Sequence, residues 1–176
     1  MLGPTLFTVF INDIDDDIVG SIIKFADDTK LFSKIQGEGD FACLQKDLAT
    51  VYKWPEDWQM LFNVDKCKVL HIGRSNPSSS YSMGGKLLQA IDDEKDLGVT
   101  IHKFLKPSKH VSEIVKKANK TLGILSRTLI FKEREILLPL YKSLVRPVLE
   151  YCSPVWNPHL RKDVNLIERF KEGLHA

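Results

Sequence analysis

Two short runs rich in Ile, Phe and Leu, residues 21–25 and 29–33, stand only three residues apart. Neither is long enough for a stable helix, and the gap is too short for a crossover between parallel strands. The economical solution is an antiparallel β-hairpin, with Ala26-Asp27-Asp28 at its tip. That hairpin limits what its neighbours can be. Upstream, Pro4 is followed by Leu6, Phe7, Phe10, Ile11 and Ile14 at helical spacing, with proline in the first turn. Asp13, Asp15, Asp16 and Asp17 then crowd the end of this helix, where acids oppose the dipole and fraying is expected. Gly20 breaks the chain before the first strand.

Downstream, Phe41, Leu44, Leu48, Val51, Trp54, Trp58 and Leu61 recur every three or four residues and predict a long amphipathic helix. Pro55 should kink it or divide it in two, at around 3 kcal/mol if the helix is continuous. Strands are expected at 69–72, 86–91 and 96–101, with a polar loop at 75–80 and a charged turn at Asp92-Asp93-Glu94-Lys95. From Pro107 the pattern turns wholly helical. One helix is marked by Ile114, Val115, Ala118, Leu122, Leu125 and Leu129. A second is marked by Ile136, Leu137, Leu140, Tyr141, Leu144, Val145 and Leu149, with Pro139 and Pro147 inside it. A third covers 163–170. The expected fold class is α+β, divided near residue 105 into a mixed half, 1–104, and an all-helical half, 105–176.

Composition excludes little. Hydrophobic residues make up 43% and charged residues 27% of 176, the balance of an ordinary globular chain. Net charge is +2, from 25 basic and 23 acidic side chains, so bulk charge alone does not demand nucleic acid. No apolar run is long enough to span a membrane. No signal peptide is recognisable, and three scattered cysteines, Cys43, Cys67 and Cys152, are expected of an intracellular, reduced protein.

The residues that could carry chemistry are few. Adjacent carboxylates repel unless something positive sits nearby. Magnesium answers that need and takes oxygen ligands readily, and paired ions can activate an attacking oxygen and steady a leaving one. An Asp-Asp pair is also an ordinary solvated turn, so the pair alone decides nothing. Asp13, Asp15 and Asp17 imitate the start of a calcium loop, but Ile18 and Lys24 stand where Gly and Glu are required. Cys67 and His71 have no second pair to complete a zinc site. Trp54 and Trp58 are expected in the core from their spacing, although tryptophans, Trp156 included, can stack on bases.

Order makes the difference. Leu2-Gly3-Pro4 leads a helix ending Phe10-Ile11-Asn12-Asp13. Phe25-Ala26-Asp27-Asp28-Thr29 follows on a hairpin. A long helix then ends Trp58-Gln59-Met60-Leu61-Phe62-Asn63 and is followed by Lys66, and last comes Lys95-Asp96-Leu97-Gly98-Val99. From Leu2 to Arg169 this set resembles the reverse transcriptases of non-LTR, LINE-type retrotransposons. The segments Tyr141-Lys142-Ser143-Leu144-Val145-Arg146-Pro147 and Glu150-Tyr151-Cys152-Ser153-Pro154-Val155-Trp156 resemble the helical region after the palm of such enzymes.

The resemblance implies a partial polymerase palm over 1–104 and a thumb-like region over 105–176. It implies magnesium held by Asp27 and Asp28, with Asp27 the stronger candidate for direct ligand. Phe25 and Ala26 would lie beside the primer end, Lys66 near the triphosphate as a proton donor to pyrophosphate, and Leu97-Gly98 on the turn that holds the primer. Implied partners are an RNA template, a DNA primer and deoxynucleoside triphosphates, with no membrane.

The family's palm also carries an aspartate on a strand well upstream of the Gly-Pro helix, and only three residues precede Pro4 here. The chain is therefore expected to lack that strand and the fingers, to hold magnesium weakly and not to polymerise alone. It is also expected to leave a sheet edge open to self-association. The alternatives are a host-retained module that binds nucleic acid or protein, and a decayed reading frame.

Overall fold

The computed structural model describes residues 2–58, 62–129 and 133–172. They form two compact units, 1–91 and 92–176, each with its own core.

In the first unit, α1 (Leu2–Phe10) tightens into a 3-10 turn over Ile11–Asp15. The acid-rich end expected to fray is instead held by a lysine. Lys24 Nζ bonds Asp15 Oδ1 at 2.6 Å and the carbonyls of Asn12 and Ile11 at 2.8 and 3.4 Å. A cation on the last carbonyls of a helix satisfies both their lone pairs and the dipole. Its hydrogen bond to Asp15 also holds that carboxyl below its ordinary range. The hairpin follows as β1 (Ser21–Phe25) and β2 (Asp28–Phe32), paired Ser21↔Phe32 through Phe25↔Asp28. Among the described residues no third strand pairs with either edge.

Helix α2 (Glu38–Trp58) begins with Glu38 and Asp40 in its first turn, where acids suit the dipole. It runs through Pro55 without the division the sequence allowed. Leu61 and the side chain of Trp58 lie outside the described residues. Trp54 packs against the core as its spacing required, edge-on to Phe10 at 5.4 Å, with Nε1 donating to Asp13 Oδ1 at 3.0 Å. Val51, Ile11, Ile14, Tyr81, Met83 and Leu88 are the buried centre. Cys67 packs against this core as a small apolar residue, and burial pushes its thiol up.

The remaining strands are shorter than expected. The strand placed at 69–72 is β3 (Lys68–Leu70). The run at 86–91 is broken by buried Leu88. Its first part, β5 (Lys86–Leu87), pairs with β4 (Ser82–Met83), which the sequence did not mark. Its second part, β6 (Gln89–Ile91), lies parallel to β3. The Gln45 side-chain amide pairs with Ser82 as a strand would, Nε2 to O at 2.8 Å and N to Oε1 at 2.9 Å.

The second unit opens with a hairpin, β7 (Asp93–Asp96) and β8 (Val99–His102), so the unit boundary precedes the change of pattern near 105. The charged segment expected to turn is a strand. Its acids are met by lysines, Asp92 by Lys103 at 2.7 Å and Asp93 by Lys109, so a row of charges can pair as a strand. The turn is Leu97-Gly98. Helix α3 (Ser108–Thr128) buries Val111, Ile114, Val115 and Ala118.

The second helical pattern is one rod in three parts: α4 (Arg134–Leu140), a π-turn at Tyr141–Val145, and α5 (Arg146–Glu150). Pro147 has no N–H for a bond one turn back and its ring crowds the preceding carbonyls, and the wider turn gives it room. Then follow the short α6 (Ser153–Trp156) and α7 (Arg161–Glu172), the latter in place of the helix expected at 163–170. No described helix is long and apolar enough to cross a membrane.

Candidate active site and its anchoring

The hairpin brings Phe25, Ala26, Asp27 and Asp28 together. Asp28 is one residue further into the strand than the sequence indicated. It pairs with Phe25, and Ala26-Asp27 alone make the turn. A two-residue hairpin turn needs left-handed backbone, usually from Gly, Asn or Asp. Here alanine takes it, with φ +52°. Phe25, Asp27 and Asp28 are all exposed, Phe25 at 58%. On the inner face, Thr29 Oγ1 is buried with no hydrogen-bond partner among the described residues.

The base of the hairpin is fixed by a residue the sequence did not mark. Asp47 on α2 is 1% exposed, and its two carboxylate oxygens accept the backbone N–H groups of Val19 and Gly20 at 3.1 and 2.8 Å. A Cβ on Gly20 would come within 2.9 Å of Asp47 Oδ2, so glycine lets the carboxylate reach the chain. A polar residue interrupting the apolar face of α2 was the available signal. Lys24 holds the same strand from its inner side. The acids at the tip thus stand on a hairpin clamped at two points.

Other expected residues lie elsewhere. Lys66 is exposed on a 3-10 turn, Val64–Lys66, and no hydrogen bond or ion pair among the described residues joins it to the hairpin. Leu97 and Gly98 form the tip of the second unit's hairpin, with φ +44° and +90°. Of six non-glycine residues with positive φ among the described residues, two, Ala26 and Leu97, sit at hairpin tips that carry site candidates. Left-handed backbone costs an L-residue roughly 1–2 kcal/mol.

The donor chemistry at the first tip fits a hard divalent cation, since two adjacent carboxylates offer only oxygen. Among the described residues no three His, Cys, Asp or Glu side chains gather to hold a metal. Asp27 and Asp28 suit the magnesium mode in which one or two carboxylates are completed by water and substrate phosphates.

Residues 1–124 match the family model described as reverse transcriptase (RNA-dependent DNA polymerase). Over 95% of its length the chain is 28% identical to the RNA-directed DNA polymerase from mobile element jockey of Drosophila melanogaster. It spans 20% of that relative's length. No solved structure matches. The family model covers both hairpins and the motif order that pointed to LINE-type enzymes, and the chain belongs to the reverse transcriptase family.

Proposed function

We propose that the chain is the palm and helical thumb-like part, residues 1–104 and 105–176, of a LINE-type RNA-directed DNA polymerase. In the complete enzyme these residues would serve the addition of deoxynucleotides to a primer hydroxyl on an RNA template. One observation carries the reading. Phe25-Ala26-Asp27-Asp28 forms a clamped hairpin tip in which alanine accepts left-handed backbone and both acids face outward. A turn that served only to reverse the chain would be less strained with glycine.

Asp27 and Asp28 would hold magnesium, which when bound supplies positive charge against the attacking and departing oxygens. Phe25 and Ala26 flank the place where the primer end would lie. Lys66, an exposed ammonium, would give a proton to the departing pyrophosphate. Leu97-Gly98 would hold the primer strand. The described residues bring no third carboxylate to the pair, so the chain alone is proposed to be inert in polymerisation. Manganese used as a paramagnetic probe should broaden the amide signals of residues 25–29 first, and Asp27→Ala should abolish that broadening. Broadening centred elsewhere would refute the metal assignment. Primer extension on a homopolymer RNA template, lost in Asp27→Ala, would refute the inertness.

A second reading, a nucleic-acid-binding remnant without polymerisation, is favoured by charge. Residues 1–91 carry 9 Lys and Arg against 12 Asp and Glu, a net −3, and residues 92–176 carry 16 against 11, a net +5. The near-neutral whole conceals a basic unit.

A further inference from the structure

The turn at Leu97-Gly98 is strained in a way its own residues do not explain. Both positions have left-handed backbone, the arrangement that Asn-Gly usually supplies. Leu97 gains no burial in exchange, because it remains 46% exposed. Something outside the turn must hold it.

That residue is Tyr151, at the end of α5. Its phenol O–H donates to the Leu97 carbonyl at 3.0 Å. Its ring lies against Gly98, and a Cβ there would sit 3.2 Å from Cε1. Glycine at 98 suits the left-handed φ, and any larger residue there would also crowd the tyrosine ring. Tyr151 is itself fixed from behind. Its N–H bonds the Pro147 carbonyl at 2.9 Å, and its own carbonyl accepts the Trp156 indole N–H at 2.8 Å. Trp156 is buried and meets His110 edge-on at 5.1 Å. His110 Nδ1 accepts the Thr100 backbone N–H at 3.2 Å, on the strand that leaves the turn. These interactions close a circuit from the turn through α5, α6 and α3 back to β8.

We propose that Tyr151 is a positioning residue that holds the Leu97-Gly98 turn so that Leu97 is presented to the primer strand. The inference rests on the reading of this turn as the primer-holding one. Nothing in the circuit buries Leu97, so the structure accepts backbone strain to display a side chain, as a binding surface requires.

The test compares the 176-residue chain with Tyr151→Phe and Leu97→Ser. Two probes are titrated, an RNA–DNA hybrid with a recessed DNA primer end and the same hybrid blunt-ended. Tyr151→Phe removes one hydroxyl and keeps the ring, so the melting temperature should stay within a degree or two. Affinity for the recessed hybrid should fall about three- to tenfold, the size of one lost hydrogen bond, with blunt-end affinity unchanged. The three-bond amide coupling of Leu97, which reports φ, should shift in the same variant.

Equal loss for both hybrids, or no loss with an unchanged coupling, overturns the positioning role. If Leu97→Ser weakens recessed-end binding and Tyr151→Phe does not, the turn's assignment survives and the role of Tyr151 fails. If Leu97→Ser changes nothing, or the unsubstituted chain binds neither hybrid, the assignment itself fails and the inference with it.

Discussion

Two residues are held in states they would not choose alone. Ala26 has left-handed backbone at an exposed tip, so its methyl gains no packing and bears the steric cost. Ala26→Gly should therefore stabilise the chain by about 0.5–1 kcal/mol in urea denaturation. A loss of stability would mean that the alanine methyl makes an interaction worth more than the strain. His110 is the second case. It is 2% exposed, and Nδ1 accepts a backbone N–H, so its proton must sit on Nε2, which has no partner among the described residues. Desolvation pushes its pKa below the ordinary 6.5, helped by Lys95 and opposed by Glu113. As pH falls through 6.5 the unfolded chain binds a proton that the folded chain refuses. Stability should then fall with pH until the folded pKa is passed. The slope of unfolding free energy between about pH 7 and 5 should be positive and should diminish in His110→Asn, whose amide oxygen can still accept from Thr100. An unchanged slope would assign the acid sensitivity to other groups.

At the scale of elements, the β1–β2 hairpin depends on α2 more than on its own two strands, which form a sheet too small to stand alone. Asp47 is the link. Asp47→Ala would remove the carboxylate that both the Val19 and Gly20 N–H groups donate to, two part-buried charge-assisted hydrogen bonds, at a cost of about 2–4 kcal/mol. Asp47→Asn keeps one acceptor and should cost about half as much. Hydrogen exchange should accelerate across residues 19–32 in both variants and stay unchanged in α3. Exchange that rises uniformly would show that Asp47 supports the core rather than the hairpin. This clamp explains what the sequence could and could not tell. The hairpin, α2, α3 and α7 were legible because their apolar spacing is periodic and their burial follows it. Asp47, Gln45 and Tyr151 were not, because each acts through a backbone group far away in the chain. The strand at 93–96 was missed for a related reason. Four charged residues look like a turn until Lys103 and Lys109 are brought beside them.

For the whole molecule, net charge was the least informative number in the sequence, because opposite imbalances cancel in it. The basic excess has a visible location. On α3, Lys116, Lys117 and Lys120 are all exposed, and no acid follows Glu113 along the helix. Three exposed lysines on one helix outnumber its single acid, Glu113, so together they gain more from phosphates than from each other. Binding to an RNA–DNA hybrid would release the counterions those phosphates hold, so affinity should fall steeply with salt. Replacing all three lysines by alanine should leave the buried face of α3 and the thermal midpoint nearly untouched. It should lower the slope of log affinity against log salt by roughly 2–3, near 0.9 for each phosphate no longer neutralised. A slope unchanged in the triple variant would move the nucleic-acid surface off α3. Binding independent of salt would remove charge as its basis.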